Sequence, residues 1–495
     1  MIEDQAKPVE VEVSLSQEEI NSIKKRSISG IISYFLRTII LQGIGLAAAF
    51  VLSKFFIPED FAVYGFVVQI IGLLTFFSDI GLAAALVQKK LTPSDADYKT
   101  AFTMQQILSW LIFGVIVVII LSDVISVKYG SAANWILFSL GLSFPLATLK
   151  TIPSIILERK LDFNKLVIPQ IFEQLIFQVL LIYLAWKGIG AMSYTYAILA
   201  RSVLGVVVMS FLQRWPFGFA LDKQSIKSLI GFGFKFQLND LLARIKDQLF
   251  YLLVGLFIPV KDFGYLNWSK NWSMYPYNLT VQNVMAVTFP TFSRLQNNPA
   301  ALTKAINKSI FFITLAIFPI IAGMCLFISP LTDVVYDYSK WKPAIPSFIF
   351  FAISIGWAAL STPLVNTLNA IGKINQSLKL MIMWTVLTWV LTPILVKVMG
   401  FDGVAFASLI ISFTSVFSII MVKREVTISV WENIWRQLVA TAIMVVVGIA
   451  GQTVWSRDFY SFLTGFVVVG STYILAVLLL GYKKLFAEFK SMFGK

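Results

Sequence analysis

Long apolar runs alternate with short polar segments along the whole chain. About fourteen of these runs are roughly twenty residues long, which is the length that an α-helix needs to cross the hydrocarbon core of a bilayer. The pattern therefore predicts an all-α, polytopic membrane protein. The predicted spans are 28–54, 61–87, 101–121, 133–157, 166–186, 190–211, 234–257, 272–292, 305–328, 344–368, 376–397, 402–422, 435–453 and 460–482.

Lysine and arginine in the connecting loops predict the orientation of these spans. The loops of one side, which include the segments 1–27 and 483–495, carry 24 such residues, and the loops of the other side carry 9, among them Lys270. Because basic residues accumulate on the cytoplasmic side of a membrane, both termini are predicted to be cytoplasmic.

One hairpin occurs twice in the sequence. Phe56-Ile57-Pro58 ends the first span and Asp60-Phe61 follows it, while Phe257-Ile258-Pro259 ends the seventh span and Asp262-Phe263 follows it. Six spans separate the copies, and an even number gives both halves the same orientation. We therefore expect two pseudo-symmetric six-helix lobes, with a transport site between them near the middle of the bilayer.

This repeat divides the chain into six parts. In chain order they are a cytoplasmic N-terminal segment 1–27, an N-lobe 28–211, a cytoplasmic linker 212–233, a C-lobe 234–422, two further helices within 435–482 and a cytoplasmic tail 483–495.

The seventh span carries an unusual density of polar residues. At 100° per residue two polar stripes form, and apolar residues fill the remaining arc. One stripe holds Lys235, Asn239 and Lys246, and the other holds Asp240, Arg244 and Asp247. Asp240 and Arg244 are four residues apart and can pair on the helix surface. Only about one third of this helix is thus suited to face lipid.

Five more charged residues lie within other predicted spans. They are Arg37, Asp79, Lys150, Glu173 and Arg201. Each buried charge costs a few kcal/mol on insertion scales, so together with the seventh span they predict a water-filled cavity with an excess of positive charge. Arginine binds phosphate through two parallel hydrogen bonds and lysine adds a compact charge, which favours a phosphorylated or acidic substrate.

Interpretations of these charged residues that do not involve substrate binding stay open. Lys150 and Lys235 lie near span ends, where a lysine can extend its ammonium group to the membrane surface, and any of the cations can form a structural ion pair. The aromatic residues Trp268, Trp272, Tyr275 and Tyr277 lie near the outer side of the eighth span, where an interfacial aromatic belt is expected.

Composition excludes several classes of function. The chain has no histidine and one cysteine, Cys325, which argues against zinc sites, serine–histidine catalysis and an intrachain disulfide. The net charge of +14 is spread over short loops, so nucleic acid is not an expected partner. No phosphate-binding GxxxxGK[ST] motif occurs. We predict no catalytic residue, no metal and no cofactor.

Several short stretches together resemble a known family. They are Pro58-Glu59-Asp60-Phe61, Tyr64, Asp79, Gly81-Leu82, Ala85-Leu86-Val87-Gln88, Leu157–Phe163 and Phe289–Arg294. The hairpin Phe55–Lys90 is similar to the first hairpin of bacterial polysaccharide flippases, which belong to the multidrug/oligosaccharidyl-lipid/polysaccharide exporter superfamily. Ala62 stands where members often have glycine, a mild departure.

The resemblance implies a fold of two six-helix lobes with two additional C-terminal helices. It also implies a flippase that moves oligosaccharide repeat units linked to undecaprenyl pyrophosphate across the bacterial cytoplasmic membrane. The sugar head would pass through the cavity while the lipid tail stays in the bilayer. Lipid-linked oligosaccharide and membrane lipid are then the partners, and the sequence leaves open whether polymerase or export machinery binds the last two helices.

The predicted mechanism is alternating access, in which the two lobes rock around a central site. Arg37, Arg201, Arg244 and Lys246 would hold the head group, with Lys150, Lys235 and Asn239 nearby. The acids Asp79, Asp240 and Asp247, and with less support Glu173, would position these cations or couple a proton or sodium ion. We expect a monomer, because the paired lobes already enclose a path.

Two other functions remain as alternatives. An ion-driven multidrug exporter of the same superfamily would favour net acidic charge in its cavity, whereas the excess here is basic. A membrane-embedded glycan polymerase or ligase would carry a large outer loop, and the segments 258–271 and 329–343 are only about fifteen residues long.

Replacing Arg244 or Lys246 with Ala is expected to abolish surface glycan, because each change removes a cation proposed to bind the head group. Surface glycan is measured beside the amount of protein in the membrane, which should not change. Unaltered glycan in both variants would contradict the assignment of the seventh span to the cavity.

Overall fold

The structure is a computed structural model that describes the backbone of residues 17–79, 81–89, 92–227 and 245–493. Fourteen helices dominate it. In the first half they are α1 Gln17–Phe55, α2 Pro58–Leu74, α3 Asp95–Leu121, α4 Ser131–Arg159, α5 Phe163–Trp186 and α6 Met192–Leu212. The rest are α7 Phe250–Phe257, α8 Val260–Leu295, α9 Pro299–Val334, α10 Ile345–Ala370, α11 Ile374–Met399, α12 Asp402–Phe413 with its continuation Val416–Glu425, α13 Val430–Ala450 and α14 Phe459–Phe493.

The predicted fold class is confirmed. Within the described residues, eleven helices are long and apolar enough to cross a membrane, and no strand interrupts them. Pro346 and Pro363 lie inside one continuous helix, α10. Proline is tolerated there because neighbouring helices and hydroxyl side chains can satisfy the freed carbonyl groups.

Among the described spans, two differ most from the prediction. The second span is not one helix, because the chain breaks after α2 and continues as the short helices Phe76–Asp79 and Leu82–Gln88. Gly81 lies between them with φ of 77°, a left-handed conformation that favours glycine. The eighth helix begins at Val260, twelve residues before the predicted start, since its polar first turns pack against protein and need no apolar character.

The same helix pairs pack together in both halves. In the first half α3 packs on α4, α4 on α6, α5 on α6 and α2 on α4. Six helices later, α9 packs on α10, α10 on α12, α11 on α12 and α8 on α10. The last two helices, α13 and α14, pack on each other and on α9. The residue boundaries assigned above to the lobes, linker and tail stay predictions.

The two halves meet most extensively where α2 packs against α8. Their first turns are so close that a Cβ atom on Gly264 would lie 1.9 Å from the carbonyl oxygen of Pro58. This contact lies at the end of the bundle that holds the α1–α2 turn, which we call the α1–α2 end.

The aromatic residues of α8 lie in this seam between the halves. Trp268 is completely buried and stacks on Trp341 with ring centroids 4.9 Å apart. Its indole N–H donates to the Ser53 hydroxyl at 2.9 Å, and the Tyr275 hydroxyl donates to the Gly45 carbonyl at 3.0 Å. The interfacial belt expected for Trp268, Trp272, Tyr275 and Tyr277 is therefore wrong. These residues follow the start of α8 by 8 to 17 positions and face α1 and α10 instead of the membrane surface.

The segment after α6 docks on α3. The backbone N–H of Ala220 donates to Thr103 at 3.0 Å, and that of Asp222 donates to Thr100 at 3.2 Å. Ser225 donates to the buried carboxylate of Asp97 at 2.9 Å. Hydrogen bonds from the Ser225 backbone N–H and hydroxyl hold the pKa of Asp222 below its usual value. The start of the linker is thus fixed to the first half.

Gly264→Ala is expected to destabilise the protein, because the added methyl group would overlap the Pro58 carbonyl and force α2 and α8 apart. Overpacking of this kind costs about 1–3 kcal/mol. The matched control is Gly114→Ala, since nothing lies within 4 Å of a Cβ atom there. Melting temperatures of the purified variants in detergent check this, and equal values for the two would contradict the close contact.

Candidate functional site

A polar stripe runs along α5 in an otherwise apolar span. Gln170, Glu173, Gln174 and Phe177 follow each other at helical spacing, so their side chains share one face. Residues of α1, α4 and α6 reach this face. The α5 stripe therefore collects groups from three neighbouring helices of the first half.

Three of the predicted cations meet the α5 stripe. The guanidinium of Arg37 donates to the Gln170 side-chain oxygen at 2.7 Å. The ammonium of Lys150 lies 2.5 Å from the Glu173 carboxylate. The guanidinium carbon of Arg201 lies 4.7 Å from the centroid of the Phe177 ring. We call Arg37, Lys150 and Arg201 the cation row.

The α5 residues that contact the cation row are spaced about one helical turn apart. Gln170, Glu173 and Phe177 are separated by about 4.5 and 6 Å along α5. Arg201 is nine residues from the start of α6 at the α1–α2 end, which places it about 14 Å into the bundle. The row thus begins near mid-depth and continues toward the opposite end.

Glu173 is held by close helix packing. A Cβ atom on Gly205 of α6 would lie 1.9 Å from a Glu173 carboxylate oxygen, so the carboxylate occupies the space that any larger residue would need. Lys150 and Glu173 have side-chain exposures of 20% and 22%. Such a half-buried pair carries a desolvation cost that its attraction and hydrogen bonds must offset. The ion-pair interpretation of Lys150 is therefore realised in this structure.

The contacts of Arg37 and Arg201 are of a different kind. An amide oxygen and an aromatic ring orient these guanidinium groups, and neither contact group carries a formal charge. A cation over an aromatic face gains about 0.5–2 kcal/mol, which holds Arg201 in place without neutralising it. In the described contacts, the cation row thus meets an amide oxygen, a carboxylate and an aromatic ring of α5.

The other predicted site residues are located only in part. Lys235, Asn239, Asp240 and Arg244 lie outside the described residues, and so does the proposed Asp240–Arg244 pair. For Lys246 and Asp79 the structure describes only the backbone, which is helical at both positions. Asp247 is exposed and lies on a short π-helix, Ile245–Leu249, that leads into α7.

A polar group in the second half was missed from the sequence. Lys270 lies ten residues inside α8, about 15 Å from its first turn, and its ammonium is 3.2 Å from the centroid of the Tyr251 ring. Tyr251 follows Asp247 by one helical turn. The assignment of Lys270 to an outer loop is therefore wrong, because the helix begins earlier than hydropathy indicates. Its proximity to the aromatic residues of α8 was the only available signal.

The glutamines of the α5 stripe could have been found. Gln170 and Gln174 flank Glu173 in an apolar span and fall on its face, which is the pattern of a helix that buries a polar stripe. The predicted site included Glu173 and omitted Gln170 and Gln174.

Two apolar grooves flank α9. One, with a volume of about 810 Å³, is bounded by α9, α10, α12 and α13 and runs from Lys423 and Trp431 to Ile449. The other, of about 570 Å³, lies between α1, α9 and α14 and is lined by Leu46, Phe50, Phe327 and Phe466 among others. The second groove adjoins α1, the helix that also carries Arg37.

Sequence comparisons identify the relatives of this chain. The family described as "Polysaccharide biosynthesis protein" matches residues 51–346, and the family described as "Lipid II flippase MurJ" matches residues 236–473. The lipopolysaccharide biosynthesis protein WzxC of Escherichia coli (strain K12) is 21% identical over 86% of this chain and 89% of its own.

A second curated relative is the succinoglycan biosynthesis transport protein ExoT of Rhizobium meliloti (strain 1021). It is 19% identical over 324 residues, which are 65% of this chain and 65% of that protein. This match thus spans slightly less than two thirds of the relative's length.

Solved structures share the fold. The lipid II flippase MurJ in an inward closed conformation has a TM-score of 0.73 at 15% identity, over 93% of this chain and 100% of its own. An inward-facing multidrug resistance MATE family transporter of the MOP superfamily has a TM-score of 0.57 at 15% identity, over 78% and 94%. The first family covers more than half of the chain, so this multi-pass membrane protein belongs to the polysaccharide biosynthesis family.

Proposed function

We propose that this protein moves oligosaccharide repeat units linked to a polyprenyl pyrophosphate across the bacterial cytoplasmic membrane by alternating access. The observation that carries the proposal is the cation row along α5. Three cations one turn apart suit a diphosphate, because each phosphate presents oxygens that accept charge-assisted hydrogen bonds from guanidinium and ammonium groups. The names of the relatives, which concern lipopolysaccharide, succinoglycan and lipid II, agree with a lipid-linked glycan.

The proposed orientation places the α1–α2 end outside and both termini in the cytoplasm. The charge bias of the loops supports it, and the relocation of Lys270 into α8 increases that bias. In this orientation the cation row leads from the cytoplasmic side toward mid-bilayer. A head group entering from the cytoplasm would meet Arg37 first and Arg201 last.

An apolar groove on the face of α1 opposite Arg37 is the proposed site of the lipid tail. The groove between α1, α9 and α14 contains Leu46, nine residues after Arg37 on α1, about 14 Å along the helix. We propose that the tail packs in this groove while the pyrophosphate contacts the row. A cationic drug would gain nothing from such a row, so the alternative of a multidrug exporter is disfavoured.

The remaining site residues keep their predicted roles. Arg244, Lys246, Lys235 and Asn239 would complete the head-group site from the second half, and Asp79, Asp240 and Asp247 would position cations or couple an ion. Glu173 acts in this proposal as the charge partner of Lys150. The protein would work as a monomer without a cofactor, and polymerase or export machinery would be an additional partner.

Arg37→Gln and Arg201→Gln are each expected to lower surface glycan about tenfold or more, since a lost charge-assisted hydrogen bond is worth about 1.5–3 kcal/mol. The control is Arg457→Gln, which removes an exposed arginine near the start of α14. Surface glycan is quantified against membrane-inserted protein. If the double variant Arg37→Gln/Arg201→Gln exports as much glycan as the control, the cation row does not bind the substrate.

The Lys150–Glu173 pair gives a separate prediction. If Glu173 serves only to balance Lys150, removing one partner leaves a half-buried charge, which costs about 3–5 kcal/mol in a buried pair. Lys150→Met and Glu173→Gln should therefore each lower the melting temperature more than the double variant does. Glycan export that is lost in Glu173→Gln while its melting temperature stays at the wild-type value would instead assign Glu173 to ion coupling.

A further inference from the structure

A lysine and a tyrosine of the first half donate hydrogen bonds to the C-terminal end of α7 in the second half. The ammonium of Lys128 donates to the carbonyl oxygens of Gly255, Leu256 and Ile258 at 2.9, 2.7 and 2.8 Å. The Tyr129 hydroxyl donates to the Gly255 carbonyl at 2.7 Å. These carbonyls end a helix and have no partner within it, and a cation is favourable at this negative end of the helix dipole.

Residues of the second half donate hydrogen bonds to the C-terminal end of α1 in the same way. The ammonium of Lys340 donates to the Lys54 carbonyl at 2.7 Å, and the indole N–H of Trp341 donates to the Ser53 carbonyl at 2.7 Å. The Tyr338 hydroxyl donates to the Phe50 carbonyl. We call Lys128 with Tyr129 the first clasp, and Lys340 with Tyr338 and Trp341 the second clasp.

The two clasps are equivalent by the internal repeat. The first lies in the turn between α3 and α4, and the second lies six helices later in the turn between α9 and α10. The first clasp binds carbonyl oxygens at the end of α7 in the second half. The second clasp binds carbonyl oxygens at the end of α1 in the first half. The phenylalanines of the repeated hairpin also contact the opposite half. Phe263 packs on Tyr129 with ring centroids 6.4 Å apart, and Phe61 packs on Trp341 with ring centroids 5.2 Å apart.

The chemistry of the clasps suits a reversible contact. Their polar bonds join lysine and aromatic donors to backbone carbonyls at the α1–α2 end of the bundle, and water can replace each donor when the halves separate. Burial of the ammonium lowers the pKa of Lys128, as expected for a charge that gives up part of its hydration. The closed state is thus stabilised by bonds that exchange with water on opening.

We propose that the two clasps form the gate that closes the outer end of the transport path, and that both must release before the head group can leave toward the outer leaflet. This inference rests on the proposed function for its direction of transport. Because a rigid-body movement of the halves would break both clasps together, the contributions of the two lysines to closure multiply.

The test uses the buried Ser53 as a reporter of opening. Ser53 is completely buried between the halves and accepts a hydrogen bond from Trp268. A Ser53→Cys reporter in a Cys325→Ala background is labelled with a membrane-impermeant maleimide in right-side-out and inverted vesicles. The reporter is compared alone and with Lys128→Met, Lys340→Met or both. The control is Lys397→Met, which removes an exposed lysine at the same end of the bundle.

Each clasp lysine variant should raise the labelling rate about tenfold or more in right-side-out vesicles, because each removes at least one charge-assisted hydrogen bond. The double variant should raise it by about the product of the single effects. Tyr129→Phe, which keeps the ring and removes only the bond to Gly255, should give a smaller increase and serves if the lysine variants are not inserted. A double variant that labels like the Lys397→Met control, or a reporter already labelled rapidly behind intact clasps, overturns the proposal.

The outcome is separable from that of the proposed function, because labelling needs no glycan. Clasp-dependent labelling together with unchanged export in Arg37→Gln/Arg201→Gln would retain the gate and reject the substrate site. If those variants lose export and labelling does not depend on the clasps, the substrate site is retained and the gate is rejected.

Discussion

The structure depends on how the ends of α1 and α7 are satisfied. A helix that ends near a membrane surface leaves carbonyl groups without partners, and leaving them buried and unpaired is costly. Here each half of the molecule supplies the donors for the other, through Lys128 and Tyr129 on one side and Lys340 and Trp341 on the other. The close approach of Gly264 to Pro58 brings the two helix ends within reach of these donors. The halves are therefore complementary at this end of the bundle.

This seam is joined to the cation row by continuous helices. Tyr129 lies two residues before the start of α4, which carries Lys150, and Lys54 lies in the last turn of α1, which carries Arg37. A helix transmits a displacement of one end to the other because its backbone hydrogen bonds resist compression and bending. Under the proposed mechanism, a head group that repositions α1 or α4 at the row would act on the same helices that the clasps hold. The site and the gate would then form one two-state element and need no separate signalling path.

The sequence predicted the fold far better than it predicted the contacts of the site. Span number and most helix ends followed from hydrophobic length, because a bilayer imposes that length on every crossing helix. The start of α8 did not follow, since Asp262, Asn267 and Lys270 are polar and are accommodated by neighbouring helices where hydropathy expects lipid. The turn at Gly81 was missed because a left-handed residue between two apolar stretches leaves the average hydropathy unchanged.

For the site, the charged members were predictable and their partners were not. Arg37, Lys150, Glu173 and Arg201 stand out because charge within a span is expensive and therefore conspicuous. Gln170 lies 133 residues from Arg37 in the chain, and no local periodicity relates the two. The pairing of Lys150 with Glu173 needs Gly205 on a third helix, so it is a property of packing.

A substrate can shift the balance between two conformations only if it binds them with different affinity. The cation row lies in the first half alone, so a head group bound only there would move with that half and favour neither state. A second contact from the other half is required, and α8 supplies Lys270 about 15 Å from the α1–α2 end, with its ammonium over the Tyr251 ring. That depth matches Arg201, at about 14 Å on α6. A diphosphate that bridges the two halves at this level would hold them in one arrangement and release them when it leaves, which is the differential binding that alternating access needs.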